Sequence, residues 1–168
     1  ESYFNSPDSS VVIGIARAGN VIGGGDWAED RIVPDCIKSW SNKEIAKIRN
    51  PRSTRPWQHV LEPLSGYLTL ALNLHKNAKF SGEAYNFGPH ASQNFPVEDL
   101  INEMSNHWGN IKWKDTSVNS GEVHEAGLLK LNCDKALVDL NWSPNLSFEE
   151  TVKLTVEWYK EYYSNENS

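Results

Sequence analysis

The residues between Arg17 and Pro34 are the first candidates for chemistry, because they combine polar side chains with clustered glycines. The stretch R-A-G-N-V-I-G-G-G-D-W-A-E-D-R-I-V-P sets the amide of Asn20, the carboxylate of Asp26 and the guanidinium of Arg31 around four of the eleven glycines. Glycine permits positive φ and close approach of the backbone to a ligand. These side-chain types predict a binding loop for a polar, anionic molecule. The alternative, which this stretch alone leaves open, is a long turn between a strand and a helix.

A second candidate is the stretch from Arg49 to Val60, R-N-P-R-S-T-R-P-W-Q-H-V, which carries three arginines. A guanidinium matches phosphate oxygens with two parallel hydrogen bonds. The prolines stiffen the segment, which lowers the entropic cost of holding a guanidinium in place. The alternative is three solvated surface charges. A third stretch, Val123 to Gly127, is a polar turn with a weaker signal.

Several well-known motifs are missing from the sequence. It contains no G-x-G-x-x-G, no G-x-x-x-x-G-K, no H-E-x-x-H and no G-x-S-x-G. A complete nucleotide-binding βα turn, a zinc-hydrolase site and a serine nucleophile elbow are therefore not predicted. Cys36 and Cys133 lie far apart, so we expect core or helix-face thiols instead of a disulfide framework or a metal site.

Length and composition suit one domain of ordinary size. The chain has 168 residues, of which 39% are hydrophobic and 23% charged, enough to bury a core. The net charge of −6 argues against a surface for nucleic acid. No run approaches the roughly 18 apolar residues of a membrane span, and no secretion signal opens the chain. We predict a soluble, cytoplasmic protein without a nucleic-acid or membrane partner.

The candidate loops need elements to position them, and the first is the apolar run from Val11 to Ala16. Its continuous pattern predicts a strand covered on both faces, as in a parallel sheet. The rest of the chain contains few comparable apolar runs. We therefore expect the strands that pair with Val11–Ala16 to lie upstream of this chain. Glu1 to Phe4 is typical of the last turn of a helix, which favours a fragment of a longer protein. After the strand we expect a loop without regular structure.

Hydrophobic spacing and capping signals predict five helices. They are a helix from an N-cap at Asp30 to about Trp40, one near Pro63 with Leu64, Tyr67, Leu68, Ala71 and Leu72 on its apolar face, one from Val97 to Trp108, one capped by Asn132, and one opened by the capping box Ser147–Glu150. Short strands are expected at 45–49, 83–87, 111–114 and 128–131. Mixed helices and strands without repeats or a linker indicate an α/β or α+β fold.

The two loops, with Y-N-F-G-P and H-E-A-G-L-L-K-L, resemble the C-terminal half of the CDP-glucose 4,6-dehydratases, a branch of the extended short-chain dehydrogenase/reductase family. The resemblance covers nearly the whole chain. The generic family shows only R-x-x-N-x-Y-G-P and R-x-W/F-x-x-V, whereas the triple glycine before Asp26-Trp27 and R-P-W-Q-H-V-L-E-P are similar to the CDP-glucose branch in particular. The resemblance implies an α/β substrate-binding domain with one strand of the NAD(P)-binding Rossmann sheet. Residues 1–17 would end the cofactor domain, and 18–168 would form mainly the sugar-nucleotide domain.

The activity that the resemblance implies is the conversion of CDP-glucose to CDP-4-keto-6-deoxyglucose and water for bacterial surface polysaccharides such as O-antigen. Bound NAD oxidises the sugar at C4, water leaves from C6, and the hydride returns to C6. The family's G-x-x-G-x-x-G loop and Y-x-x-x-K pair would lie upstream, since no tyrosine here precedes a lysine by four residues. We therefore assign no catalytic residue to this chain, expect it to be inactive alone, and expect a homodimer when intact.

The resemblance also implies site residues. Substrate contacts fall to Asn20, Arg31, Arg55 and His124, and cofactor contacts to Arg17 and Ala18 at the strand end. Asn20 and Arg55 match diphosphate-side residues, whereas His124 stands where related dehydratases place an arginine. Two alternatives stay open: another nucleotide-sugar dehydratase or epimerase of the family, or a non-catalytic module that binds a nucleotide or NAD.

Overall fold

The computed structural model describes residues 11–109, 111–117 and 130–166. Its helices are α1 (Ile32–Ser41), α2 (Leu61–Lys76), α3 (Val97–Trp108), α4 (Asp134–Leu140), α5 (Phe148–Glu166) and a 3-10 turn at Ala78–Phe80. Its strands are β1 (Ile15–Ala18), β2 (Asn20–Ile22), β3 (Ala46–Ile48), β4 (Thr54–Arg55), β5 (Trp57–His59), β6 (Ala84–Phe87), β7 (Phe95–Pro96) and β8 (Trp113–Asp115). No helix in these ranges is long and apolar enough to cross a membrane.

The strands pair two by two, and most pairs are parallel. Strand β1 pairs with β6, β2 with β5 and β3 with β8 in parallel, whereas β4 and β7 are antiparallel. Parallel partners need a crossover between them, and helices supply it here. The mixed α/β class is therefore confirmed.

The first strand differs from its prediction. Regular pairing covers Ile15–Ala18 instead of Val11–Ala16, and Val11, Val12 and Ile15 are exposed. Helix α2 covers one side of this segment, where Leu70 and Leu74 pack close to Gly14. The prediction that this strand is buried on both faces is wrong, because no second layer covers it among the described residues. The expectation that its neighbours lie upstream is also wrong for one edge, which β6 occupies.

The main hydrophobic core lies between α1, α3 and α5. Its fully buried members include Ile37, Leu100, Ile101, Val152 and Val156. The predicted apolar faces of α1 and α3 are thus confirmed. The capping box of α5 is confirmed as well, since Ser147 Oγ accepts from the Glu150 N–H at 3.1 Å and the Glu150 carboxylate accepts from the Ser147 N–H at 2.8 Å.

Helix α2 forms where expected but turns a different side inward. Leu64, Leu68 and Leu72 are exposed, with Leu68 at 68%. Gly66 instead faces the second core, where an added Cβ would lie 2.2 Å from the Phe87 ring, and Leu70 packs there too. The predicted buried face is therefore wrong: the apolar residues of α2 surround most of the helix, so their spacing does not show which side meets the core.

Two smaller expectations concern the ends of elements. The N-cap of α4 is Cys133 and not Asn132, although the Asn132 side chain still accepts from the Asp134 N–H at 2.9 Å. Glu1 to Phe4 and residues 128 and 129 of the expected strand lie outside the described residues, and residues 130 and 131 are not in a strand.

Candidate functional site

A cavity of about 1460 Å³ lies between β2, the start of α1 and the segment around β3. Asn20, Arg31 and Arg55 all line it. The parallel pairing of β2 with β5, which sets Asn20 opposite Trp57, brings the two predicted binding stretches together. Three of the four residues predicted to contact substrate are therefore on one cavity.

The glycine-rich stretch is more ordered than predicted. Asn20–Ile22 is strand β2, so the expectation of a wholly irregular loop is wrong at its start. The following turn does need glycine at two positions. Gly25 has φ +78°, and a Cβ on Gly24 would lie 2.1 Å from the Trp158 ring. Left-handed backbone and close approach are the conditions under which glycine is required.

The start of α1 faces the cavity without a side-chain cap. Arg31, and not Asp30, is the N-cap, and no side chain of the described residues caps the helix there. Asp30 instead has φ +59° and pairs with Arg49 at 3.3 Å. The predicted cap is wrong because left-handed backbone at Asp30 turns the chain before the helix begins. Uncapped first-turn amides and the helix dipole favour an anion at this end.

Arg31 lies at the cavity rim. Its side chain is 61% exposed, and its Nε lies 3.9 Å from Asp26 Oδ2. Asp26 Oδ1 also accepts from the Ala28 N–H at 3.0 Å. An exposed pair at this distance contributes little to stability, so the Arg31 guanidinium can turn towards a ligand.

Arg55 is the buried member of the arginine cluster. It is 8% exposed, and its Nη1 donates to the Thr54 carbonyl oxygen at 2.8 Å. Arg49 is 64% exposed and Arg52 is exposed as well. The alternative interpretation of this stretch, that its arginines are solvated surface charges, thus fits Arg52 but not Arg55. A guanidinium is rarely taken out of water without a function or a charged partner.

The residues predicted to contact the cofactor do not line this cavity. Arg17 and Ala18 lie on β1, opposite Asn86 and Phe87 of β6, and neither lines the cavity. His124 lies outside the described residues. Trp57 does line the cavity, and it is also a buried core residue whose indole N–H donates to the Phe95 carbonyl oxygen at 3.0 Å.

The ionisable groups nearby favour binding over nucleophilic chemistry. Burial, with the nearby Asp35 charge, raises the pKa of the Cys36 thiol to about 12, so this thiol stays protonated near neutral pH. Burial and the charge of Asp30 raise the pKa of Asp35. The described residues contain no group of three or more His, Cys, Asp or Glu placed to hold a metal. The cavity offers guanidinium, amide and helix-terminus groups, and five carboxylates and two lysines also line it.

Most of the far wall of the cavity was missed by sequence reasoning. Residues 44–48 and Ser117 line it together with Arg49 and Asn50 of the second predicted stretch, because β3 pairs with β8 and the Thr116 hydroxyl donates to the Ile48 carbonyl oxygen at 3.1 Å. Lys47 and Glu44 belong to no recognisable motif in the sequence. No local signal distinguishes them from ordinary surface residues.

Comparison with known proteins identifies a relative of this chain by sequence. No protein-family model matches the chain. A CDP-glucose 4,6-dehydratase of Salmonella typhimurium is 44% identical over 171 aligned positions, which cover 99% of this chain and 47% of the relative. The chain therefore spans about half the length of the curated relative that it matches. The predicted resemblance to the CDP-glucose branch is confirmed.

Solved structures share the fold at lower identity. A Bacillus cereus UDP-glucuronic acid 4-epimerase in complex with UDP-glucuronic acid and NAD has a TM-score of 0.76 at 20% identity, covering 93% of this chain and 48% of that one. A Bacillus anthracis dTDP-glucose 4,6-dehydratase in complex with NAD has a TM-score of 0.68 at 20% identity, covering 88% and 44%. The α/β fold of extended short-chain dehydrogenases/reductases is confirmed.

Proposed function

We propose that the chain is the sugar-nucleotide-binding part of an NAD-dependent CDP-glucose 4,6-dehydratase, a hydro-lyase that forms CDP-4-keto-6-deoxyglucose and water. The observation that carries the proposal is the convergence of Asn20, Arg31 and Arg55 on one cavity. These are three of the four residues that the sequence resemblance assigns to the substrate. The 44% identity to the Salmonella enzyme supports the choice of nucleotide.

The cavity suits a nucleoside diphosphate sugar. Arg55 would hold the diphosphate from the buried wall, where a charge-assisted hydrogen bond is stronger than in water. Arg31 would approach from the rim, and Asn20 can both donate and accept through its amide. The uncapped first turn of α1 adds backbone donors to the same side. All these groups bind and orient the substrate, and none transfers a proton to the sugar.

NAD would be held mainly outside this chain. When bound, it accepts and returns the hydride of the sugar. The sequence contains no G-x-G-x-x-G turn for a dinucleotide, so the fit of this chain to the cofactor is limited to the end of β1. Arg17 and Ala18 remain predicted contacts there. In this proposal residues 1–17 are the edge of the cofactor domain and 18–168 are mainly the sugar-nucleotide domain.

The second half of the enzyme would cover the exposed face of α2. Leu61, Leu64, Leu68 and Leu72 are exposed leucines at helical spacing, and β1 has one paired edge within the described residues. Exposed apolar stripes of this kind mark contact surfaces. The relative is about twice as long as this chain, which is enough for a cofactor domain. The intact protein would be a cytoplasmic homodimer.

The proposal is tested with the intact protein, CDP-glucose and NAD. Mass spectrometry should show the loss of water from the sugar nucleotide and a new 4-keto product. UDP-glucose and dTDP-glucose serve as matched substrates. Turnover of either of these without turnover of CDP-glucose would refute the choice of nucleotide. The isolated chain should form no product under the same conditions.

A sugar-nucleotide 4-epimerase is the second candidate, because 4-epimerases share this fold with TM-scores of 0.76 and 0.71. The product separates the two reactions. An epimerase keeps the mass of the sugar nucleotide and inverts C4, whereas a dehydratase lowers the mass by one water. Epimer without a 4-keto product would favour this second candidate.

A further inference from the structure

An aromatic cluster joins the glycine-rich turn to the last helix. Trp27, in the turn, is 49% exposed and contacts four rings of α5. Its ring centroid lies 6.4 Å from Trp158, 5.4 Å from Tyr159, 4.9 Å from Tyr162 and 6.2 Å from Tyr163. Such pairs contribute beyond the area that they bury. The turn is thus attached to a helix more than a hundred residues later in the chain.

One hydroxyl in this cluster holds the backbone of the turn. Tyr159 is fully buried, and its hydroxyl donates to the Asp26 carbonyl oxygen at 2.7 Å and accepts from the Asp26 N–H at 3.1 Å. Both hydrogen bonds therefore end on the same residue. Burial raises the pKa of Tyr159 to about 12, so the hydroxyl keeps its proton near neutral pH.

Asp26 links this anchor to the cavity. Its carboxylate accepts from the Ala28 N–H at 3.0 Å and lies 3.9 Å from Arg31 Nε. Asp26 and Arg31 both line the cavity. Gly24 also lies directly against the Trp158 ring of the same helix, where no Cβ fits. The turn is therefore held against α5 at two points, by a hydroxyl and by a ring.

We propose that Tyr159 is a positioning residue for the sugar nucleotide: by fixing the Asp26 backbone it holds the glycine-rich turn, and with it the backbone that leads to Arg31, at the cavity rim. Tyr159 touches no reacting atom. This inference rests on the proposed function, since it concerns the binding of the same substrate. It adds to that function a residue of α5 that lies outside the cavity lining.

The test is Tyr159→Phe in the intact protein, which removes the hydroxyl and keeps the ring. We expect KM for CDP-glucose to rise about tenfold, equivalent to about 1.4 kcal/mol, with kcat changed less than about twofold. This pattern indicates lost binding instead of lost chemistry. Hydrogen exchange of the backbone amides at 23–30 should accelerate.

Tyr85→Phe is the matched control. The Tyr85 hydroxyl donates to Asp139 at 3.1 Å between β6 and α4, away from the glycine-rich turn. It should lower stability but leave KM and the exchange at 23–30 unchanged.

Three results would overturn the proposal. The first is that hydrogen exchange at 23–30 is unchanged in Tyr159→Phe. The second is that this exchange becomes faster in Tyr159→Phe while KM for CDP-glucose stays the same. The third is that KM rises in Tyr85→Phe as much as in Tyr159→Phe. A wild-type protein that does not turn over CDP-glucose would instead refute the proposed function, and the exchange measurement would still decide whether Tyr159 holds the turn.

Discussion

Replacement of Arg55 by alanine should weaken CDP-glucose binding by about 2 to 5 kcal/mol, the range for truncating one partner of a buried charge pair. The structure supports this range because Arg55 is 8% exposed and lines the cavity wall. In the alanine variant, a phosphate bound at this wall would lose the Arg55 guanidinium, and little water could reach the site to replace it. Converted to affinity, the loss is about 30-fold to several thousand-fold in Kd.

Isothermal titration calorimetry of the intact protein with CDP-glucose measures this change. Arg52→Ala is the matched control, because Arg52 lies in the same segment, is exposed and does not line the cavity. It should cost less than about 0.5 kcal/mol, as ordinary surface substitutions do. Cytidine, which carries no phosphate, should bind both variants as it binds the wild type.

Two results would refute the reasoning about Arg55. A loss below about 0.5 kcal/mol for CDP-glucose would mean that Arg55 contacts no substrate charge. An equal loss for cytidine would mean that the substitution distorts the cavity instead of removing a phosphate contact. A thermal melt of each variant separates both results from simple unfolding.

Three further predictions concern stability, measured by urea unfolding of the intact protein. Glu62→Gln should lower the unfolding free energy by about 1 to 3 kcal/mol, because the buried carboxylate accepts from the N–H groups of Asn145 at 2.9 Å and Leu146 at 2.7 Å; no change would contradict this. Gly24→Ala should cost about 1 to 3 kcal/mol, since its Cβ would lie 2.1 Å from the Trp158 ring, and adding Trp158→Ala should reduce that cost. Burial lowers the pKa of His59 below its usual 6.5, although the charge of Glu62 acts in the opposite direction. Neutral His59 therefore contributes to the unfolding free energy. This contribution is complete above pH 6.5 and is lost as the pH falls through the folded-state pKa, because the unfolded state binds the proton first. His59→Gln should flatten that part of the curve between pH 7.5 and 5, and an unchanged slope would assign it to other groups.

Local features of the chain could be predicted from sequence because they depend on neighbours along the chain. The apolar faces of α1 and α3 follow helical spacing, and the capping box of α5 needs only Ser147 and Glu150. Asn20, Arg31 and Arg55 were likewise identifiable from side-chain type and from resemblance to one enzyme family. All three line the cavity.

Contacts between distant segments could not be predicted from the sequence. The inward side of α2 depends on whether Gly66 or Leu68 meets another layer, and either choice satisfies the same spacing. The position of the first strand depended on pairing with β6, and the N-cap of α1 on left-handed backbone at Asp30.

By itself the sequence determined the helices, the polar residues suited to an anion and the family that they resemble, since composition and spacing are local. Only the tertiary structure decided that Asn20 and Arg55 line the same cavity, since β2 pairs with β5, the strand that follows Arg55. It also decided that Tyr159 holds Asp26 across 133 residues of chain. Hydrogen bonds and packing between remote segments depend on how the whole chain folds, and no periodicity in one segment encodes them.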